Sequence, residues 1–255
     1  MRDVKARGRV KIFSRGKIGF VRHATIANMP SPLRTIFFDV GNTLLFANHE
    51  VILKPLRERG IEPGTELLDA VLRRCKNEFD EQLRPGHKPD HSFWWMYYEL
   101  LLKELELKDA GVHERLVEAA RNSQNWDQPR EGTRERLQEL GQRYRMAVIS
   151  NADGTVRELL GRCGIADCFE SITDSGMVGC EKPDAAIFQM ALESMSARAE
   201  ESLYVGDVYS VDYAGATGAG MQAVLLDVAG AYREKGVPRV ESLEELAERL
   251  NRTAW

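Results

Sequence analysis

The chain has 255 residues, of which 43% are hydrophobic and 29% charged. A chain of this length buries roughly 70 to 75% of its unfolded surface, so it can form one large domain, or a core domain with a smaller insert. No apolar run approaches the roughly 20 residues that a membrane span needs. The composition predicts an ordinary globular protein and excludes a membrane-spanning one.

The formal net charge of -4 is unevenly distributed along the chain. Residues 1–28 carry eight Lys and Arg against one Asp, whereas the remainder is acidic. A nucleic-acid tail and an organellar transit peptide are two interpretations of such an arm. We favour a third, a flexible extension over residues 1–34 with Met29 as the functional start, and therefore do not expect a nucleic-acid partner.

The four cysteines form no CxxC pair, and no histidine stands at zinc-ligand spacing from them. We expect reduced thiols in a cytoplasmic protein.

Four apolar segments rich in β-branched or aromatic residues predict strands that are buried on both faces, as a parallel sheet requires. In chain order they are "TIFFDV" (35–40), "RMAVIS" (145–150), "SLYVGD" (202–207) and "QAVLLD" (222–227). Helical patterns lie between and after them, at 133–140, 155–163, 185–195 and 242–250. This alternation predicts an α/β fold with a doubly wound, Rossmann-like parallel sheet.

Residues 47–128 interrupt the alternation, because they contain several helical patterns and no convincing strand. We interpret them as an all-helical insert in a core formed by residues 35–46 and 129–255. In one insert helix, apolar residues recur at three- and four-residue steps, which gives a single buried stripe: Leu68, Leu72, Cys75, Phe79 and Leu83. The aromatic helix "HSFWWMYYELLLKEL" is expected mainly in the core, with lining of a cleft as the alternative.

Four segments place polar groups where ligands bind in open α/β sheets, beyond the carboxyl ends of the strands. Each segment follows a predicted strand or precedes a predicted helix. The groups are Asp39, then Ser150 with Asn151, then Lys182, and finally Asp207 with Asp212. Together they supply a potential nucleophile, a hydroxyl, an ammonium and further carboxylates.

This set of groups suits phosphoryl transfer to a carboxylate. An anionic nucleophile approaches an anionic phosphate only if positive charge neutralises the pair. Mg²⁺ takes oxygen ligands, and Asp39, Asp207 and a backbone carbonyl near Gly41 form a suitable set. Lys182 and Ser150 are expected to hold the phosphate oxygens.

The same segments, "FFDVGNTL", "VISN", "KPDAAIF" and "GDVYSVDYAGATGAG", resemble in order the four motifs of the haloacid dehalogenase superfamily. The helical insert lies where members of that superfamily carry a cap domain, between the first and second motifs. The resemblance covers about residues 35–228. It implies a Rossmann-like core with a helical cap that closes over the substrate.

Carried over motif by motif, the resemblance implies that Asp39 is a nucleophile and forms an aspartyl-phosphate. Ser150, Asn151 and Lys182 would bind the substrate phosphate, with Lys182 also catalytic. Mg²⁺ would be held by Asp39, Gly41 and Asp207, with Asp212 orienting metal-bound waters or Lys182. The expected partner is a small phosphorylated metabolite. Two other aspartates are expected to serve helix starts, Asp153 and Asp184.

Gly41 departs from the phosphatase pattern, which has a second aspartate at this position as general acid and base. The sequence therefore leaves a 2-haloacid dehalogenase, and a catalytically weak phosphate-binding scaffold, open beside a Mg²⁺-dependent phosphatase. We expect the phosphatase, because dehalogenases need no metal and this chain retains Asp207 and Asp212. His87 and His91 are weak candidates for the missing proton donor.

Overall fold

A computed structural model of the chain describes residues 32–83 and 92–252. The described residues belong to one compact unit. Residues 1–31 of the extension predicted over residues 1–34, and both histidines named as proton-donor candidates, lie outside the described residues. Arg34 is described and hydrogen-bonds through its backbone to the Glu201 carbonyl and the Arg145 N–H. All four cysteines lie within the described residues and are free thiols.

A parallel sheet of six strands forms the centre of the molecule, in the order β5-β4-β1-β6-β7-β8. An antiparallel pair, β2 with β3, lies apart from it. The strands are β1 (Thr35–Phe38), β2 (Leu45–Phe46), β3 (Gln128–Pro129), β4 (Arg145–Ser150), β5 (Ser171–Asp174), β6 (Ser202–Gly206), β7 (Gln222–Leu226) and β8 (Arg239–Val240).

All four predicted strands are confirmed, with β1 at the centre between β4 and β6. The sequence analysis missed β5, which extends the sheet next to β4. Its sequence, Ser-Ile-Thr-Asp, has a single large apolar residue, so no hydrophobic run marks it. Pairing with β4, rather than local propensity, makes this segment a strand.

Helices follow the strands and cover both faces of the sheet. They are α1 (His49–Ile52), α2 (Lys54–Arg57), α3 (Thr65–Gln82), α4 (Ser92–Glu104), α5 (Ala110–Arg121), α6 (Thr133–Gly141), α7 (Val156–Arg162), α8 (Ser175–Val178), α9 (Ala185–Ser194), α10 (Ala214–Gly218) and α11 (Leu243–Arg252). The four predicted core helices correspond to α6, α7, α9 and α11, each within two residues at both ends.

The alternation of side chains along β1 divides the core into two apolar clusters. Ile36 and Phe38 point into one cluster, and Phe37 points into the other. Helices α6, α7 and α11 contribute to the first cluster, while α9 and α10 contribute to the second. A helical layer therefore packs on each face, which confirms the doubly wound α/β fold.

Helices α1 to α5 form the helical insert, which we define as residues 47–127. Its two ends are joined, because β2 immediately precedes it and pairs with β3, which immediately follows it. Its apolar side chains continue the first core cluster rather than forming a separate one. The division of the chain into a core domain and a cap domain stays a prediction.

Helix α3 has two differently occupied faces. Its apolar face buries Leu68, Val71, Cys75 and Phe79, largely the predicted stripe with Val71 in place of the half-buried Leu72. A lysine, Lys76, is also buried on this helix, with 1% of its surface exposed. A buried lysine needs a compensating partner.

Helix α4 confirms the expectation that its aromatic residues pack mainly in the core. Tyr97 and Tyr98 are buried. Trp94 is half-buried and lies 4.8 Å from Trp126 between ring centroids. No helix among the described residues is long and apolar enough to cross a membrane.

Asp174, at the end of β5, organises the loop between β4 and α7. Its Oδ1 accepts hydrogen bonds from the backbone N–H groups of Gly154 and Gly176, and its Oδ2 accepts one from Val156 in the first turn of α7. The expectation that Asp153 caps this helix is wrong. Asp153 accepts a hydrogen bond from the Thr155 N–H, which lies before the helix begins. The donor in the first turn, the Val156 N–H, is already bound to Asp174. Asp184 does cap α9, as expected.

Replacing Asp174 by Ala is expected to lower the free energy of unfolding by about 2 kcal/mol or more, because three backbone donors lose their acceptor. Asp184→Ala is the control, since it removes one exposed cap and is expected to cost about 1 kcal/mol. Urea denaturation measures both. An Asp174→Ala loss no larger than that of the control would contradict the role given to this carboxylate.

Candidate active site

The loop after β1 places Asp39 at the carboxyl edge of the sheet. The Asp39 N–H continues the ladder by donating to the Val205 carbonyl at 2.8 Å. The Val40 carbonyl then accepts hydrogen bonds from the N–H groups of Leu44 and Leu45, which closes a tight turn. The Asp39 carboxylate is left next to the neighbouring strand ends, with the residue 7% exposed.

Lys182 lies at the centre of the site. Its Nζ donates to Asp39 Oδ1 at 2.6 Å, to Asp212 Oδ1 at 2.7 Å and to the Tyr204 hydroxyl at 2.8 Å. The three ammonium donors are thereby matched with three acceptors. Burial lowers the pKa of Lys182, but the Asp212 and Asp39 carboxylates outweigh burial and raise it above its usual value. The side chain therefore carries a fixed positive charge.

Asn151 holds the backbone that carries Lys182. Its Oδ1 accepts from the Lys182 N–H at 2.8 Å, and its Nδ2 donates to the Lys182 carbonyl at 2.9 Å. The predicted substrate-binding residue thus fixes the position of another predicted site residue. Ser150 ends β4 and is buried, and its hydroxyl makes no hydrogen bond to the described part of the chain.

Asp212 is enclosed by protein donors on both oxygens. Oδ2 accepts from the backbone N–H groups of Asp207 and Val208, and Oδ1 accepts from Lys182 and Tyr204. This fold-back requires glycine at position 206, since a Cβ there would lie 2.4 Å from the Asp212 carboxyl carbon. The geometry suits a carboxylate that orients Lys182 and the Asp207 loop.

Asp207 is bound by a residue that the sequence analysis missed, Lys76 of the helical insert. The Lys76 Nζ donates to the Asp207 carbonyl oxygen at 2.7 Å and lies 2.8 Å from Asp207 Oδ2. Tyr204 was also missed. In the sequence, Lys76 is an ordinary helix residue and Tyr204 is an ordinary strand residue. The only signal for Lys76 was a polar spacing of three and four residues, from Arg73 to Lys76 to Asp80.

That spacing forms a polar face by which α3 contacts the loops after β6 and β7. Arg73 donates to the Ala229 carbonyl at 3.1 Å. Asp80 accepts from the Ser210 N–H at 3.0 Å and pairs with Lys235 at 3.3 Å. Lys76 lies between these contacts. We call Arg73, Lys76 and Asp80 the α3 polar face.

Three buried carboxylates, those of Asp39, Asp207 and Asp212, each place an oxygen within 4.8 Å of the others. Burial raises the pKa of Asp39 to about 7; Lys182 opposes this shift, and the Asp212 and Asp207 charges reinforce it. Burial also raises the pKa of Asp207 against the opposing charge of Lys76. The cluster is thus short of positive charge even with both lysines present.

The donor set fits a divalent cation of the Mg²⁺ type. All three groups offer carboxylate oxygens, which Mg²⁺ prefers. Asp207 Oδ2 is fully buried and lies 2.8 Å from the Lys76 ammonium. Because a buried carboxylate oxygen needs compensating positive charge, a cation is a suitable partner for this atom.

Gly41, two residues after Asp39, is covered by an indole ring. A Cβ at this position would lie 3.8 Å from Trp126 Cε3, an ordinary van der Waals distance. The Trp126 ring is itself held by a hydrogen bond from Nε1 to the Ala120 carbonyl at 2.8 Å. A Cβ at position 41 is therefore accommodated in contact with the indole ring.

The fold and the site together define an α/β protein with three buried carboxylates and a buried lysine at the carboxyl edge of its parallel sheet. The chain belongs to the haloacid dehalogenase-like hydrolase family, whose model matches residues 33–220. The resemblance seen in the four motifs is thereby confirmed.

Curated relatives cover most of the chain at modest identity. The human haloacid dehalogenase-like hydrolase domain-containing protein 3 is 28% identical over 209 residues, which is 76% of this chain and 82% of that protein. The Escherichia coli 5-amino-6-(5-phospho-D-ribitylamino)uracil phosphatase YigB is 28% identical over 203 residues, or 75% of this chain and 82% of that protein.

Solved structures share the fold. The putative HAD-hydrolase YfnB from Bacillus subtilis, bound to magnesium, aligns with a TM-score of 0.63 and 21% identity, covering 86% of this chain and 99% of that chain. The L-2-haloacid dehalogenase from Xanthobacter autotrophicus aligns with a TM-score of 0.55 and 18% identity, covering 87% of this chain and 100% of that chain. At these identities the likeness extends to the fold alone.

Lys182→Met is expected to lower the free energy of unfolding by about 3 to 5 kcal/mol, because it leaves two buried carboxylates without their cation. Arg74→Met is the matched control, since Arg74 forms an exposed pair with Glu78 on α3, and its loss is expected to be far smaller. Urea denaturation at neutral pH measures the difference. Equal stability of the two variants would contradict the central role of the Lys182 ammonium.

Proposed function

We propose that the protein is a Mg²⁺-dependent phosphatase that acts on a small phosphorylated metabolite through an aspartyl-phosphate on Asp39. The observation that carries the proposal is the contact of one buried ammonium, Lys182, with both Asp39 and Asp212, beside the buried carboxylate of Asp207. Phosphoryl transfer needs this combination of an anionic nucleophile and fixed positive charge.

In the proposed reaction, an Asp39 oxygen attacks phosphorus. The new O–P bond forms as the bond from phosphorus to the leaving oxygen breaks, and the leaving oxygen takes a proton from solvent water, since position 41 has no side chain to donate one. Water then attacks the phosphorus of the aspartyl-phosphate, releasing inorganic phosphate and regenerating the Asp39 carboxylate. Mg²⁺, when bound, supplies positive charge that neutralises the carboxylates and the phosphate.

The residues of the chain have distinct parts in this reaction. Lys182 holds Asp39 in place and offers its charge to the phosphate oxygens. Ser150 has a hydroxyl available for a phosphate oxygen, because it makes no hydrogen bond within the described residues. Asn151 fixes the Lys182 backbone, and Asp212 fixes the Lys182 ammonium.

Gly41 favours a second candidate function, that of a 2-haloacid dehalogenase. Such an enzyme displaces halide with the same nucleophilic carboxylate and needs neither a second aspartate nor a metal. We favour the phosphatase, because the three-carboxylate cluster suits a divalent cation and a halide displacement has no use for it. A phosphate-binding scaffold without turnover is the non-enzymatic alternative. A cytoplasmic location stays a prediction.

The deciding experiment is a screen of phosphorylated metabolites with Mg²⁺ and with a chelator, run beside a panel of 2-haloacids. The phosphatase proposal expects phosphate release that the chelator abolishes. Halide release that is insensitive to the chelator would establish the dehalogenase instead. No release in either panel, with phosphate bound at the site, would favour the scaffold.

Asp39→Asn is expected to abolish turnover, because an amide neither attacks phosphorus nor carries the negative charge that Lys182 balances. Acid-quench labelling with a phosphorylated substrate should trap a covalent phosphate on the wild-type chain and none on the variant. Thermal melting serves as the control for folding. A folded Asp39→Asn variant that keeps most of its activity would disprove the covalent mechanism.

Gly41→Asp is expected to raise the hydrolysis of alkyl phosphates by about 10² or more, since general acid-base groups typically contribute about 10² to 10⁴ in rate. A Cβ at position 41 would lie at an ordinary van der Waals distance from the Trp126 ring, so the backbone there accepts a side chain. Aryl and acyl phosphates, whose leaving groups need little protonation, are expected to gain least.

Gly41→Asn is the matched control, because asparagine has nearly the same shape as aspartate but no titratable group. Steady-state rates for alkyl and aryl substrates test the pair. Equal alkyl-phosphate rates for the Asp and Asn variants would mean that another residue already supplies the proton, or that the reaction is not phosphoester hydrolysis.

A further inference from the structure

Lys76 is a buried cation from the helical insert that contacts a carboxylate of the core site. We propose that Lys76 and a divalent cation are alternative partners of Asp207, so that Lys76 sets the affinity of the site for the cation. The inference rests on the proposed function in one respect, the use of Asp207 as a metal ligand. It assigns a positioning role to a residue outside the four motifs.

The first argument is the position of the ammonium. Lys76 Nζ lies 2.7 Å from the Asp207 carbonyl oxygen and 2.8 Å from Asp207 Oδ2. Both are hard oxygen atoms of the kind that a Mg²⁺ ion takes as ligands. The lysine side chain is 2% exposed, so solvent does not screen its charge.

The second argument is that the contact itself brings the two possible cations into competition. The Lys76 ammonium donates a hydrogen bond to the Asp207 carbonyl oxygen and forms an ion pair with Asp207 Oδ2, which is fully buried. One ammonium thus occupies the space beside both oxygens. A metal ion bound to Oδ2 would lie close to the positive charge of Lys76, and the two cations would repel each other.

The third argument is that helix α3 has further contacts with the core besides that of Lys76. Arg73 and Asp80 join the same helix to the loops after β6 and β7 on either side of Lys76. We therefore expect these contacts to hold the helix when the lysine side chain leaves Asp207. By thermodynamic reciprocity, if a metal ion weakens the contact between Lys76 and Asp207, then that contact lowers the affinity of the site for the metal ion.

Isothermal calorimetry with MgCl₂ and the full chain tests the inference without any substrate. Lys76→Met, which keeps the length of the side chain but not its charge, is expected to bind Mg²⁺ about tenfold more tightly or better. Arg73→Met is the matched control, because it removes one positive charge from the same helix face without touching Asp207. Its affinity is expected to stay within about twofold of wild type.

Unchanged or weaker Mg²⁺ binding by Lys76→Met would overturn the inference. If Lys76→Met does not fold without Mg²⁺, Lys76→Gln, which keeps a donor for the carbonyl but lacks the charge, takes its place with the same expected result. Equal tightening by Arg73→Met would also overturn the inference, since the effect would then be one of net charge.

The same titration separates this inference from the proposed function. Tightening in the Lys76 variants supports the inference even if the metabolite screen finds no phosphatase activity. Absence of Mg²⁺ binding in every variant would overturn both the inference and the metal requirement of the proposed function. Phosphatase activity with unchanged Mg²⁺ affinity in Lys76→Met would overturn the inference alone.

Discussion

The ammonium of Lys182 is the interaction on which the rest of the site depends. Its Nζ lies 2.6 Å from Asp39 Oδ1 and 2.7 Å from Asp212 Oδ1. Without this cation, the two carboxylates would repel each other. Its own backbone is fixed by Asn151 from the end of a neighbouring strand. Residues at or after the ends of β1, β4 and β6 are thus connected through one positive charge. The geometry of the candidate active site depends on it.

The helical insert contributes to this edge with charge as well as with apolar surface. In most of its length α3 packs through Leu68, Cys75 and Phe79, as its sequence spacing requires. The α3 polar face does something different, because it carries a second ammonium, that of Lys76, into contact with Asp207. Three carboxylates and two ammonium groups still leave the site negative, which is why a cation remains a suitable addition.

Gly41 and Trp126 together form the environment two residues beyond Asp39. A glycine removes the carboxylate that the resembling phosphatases use, and an indole covers the space where that carboxylate would begin. The indole is held by its own hydrogen bond and by its contact with Trp94. Position 41 has no side chain to move a proton, so under the proposed phosphatase mechanism we expect substrates with good leaving groups to react best.

The sequence by itself determined the doubly wound sheet and the candidates Asp39, Ser150, Lys182, Asp207 and Asp212, because buried parallel strands have a clear hydrophobic signature and motif residues follow them directly. Only the tertiary structure decided that β5 is a strand and that Asp174, rather than Asp153, serves the start of α7, since pairing and hydrogen bonding across the chain control both. The same holds for Lys76 and Tyr204, whose partners lie 131 and 8 residues away. A helical lysine and a strand tyrosine have no local mark of function. The packing of α3 against the loop after β6 gives Lys76 its partner, whereas the approach of Lys182 and Asp212 to β6 gives Tyr204 its partners.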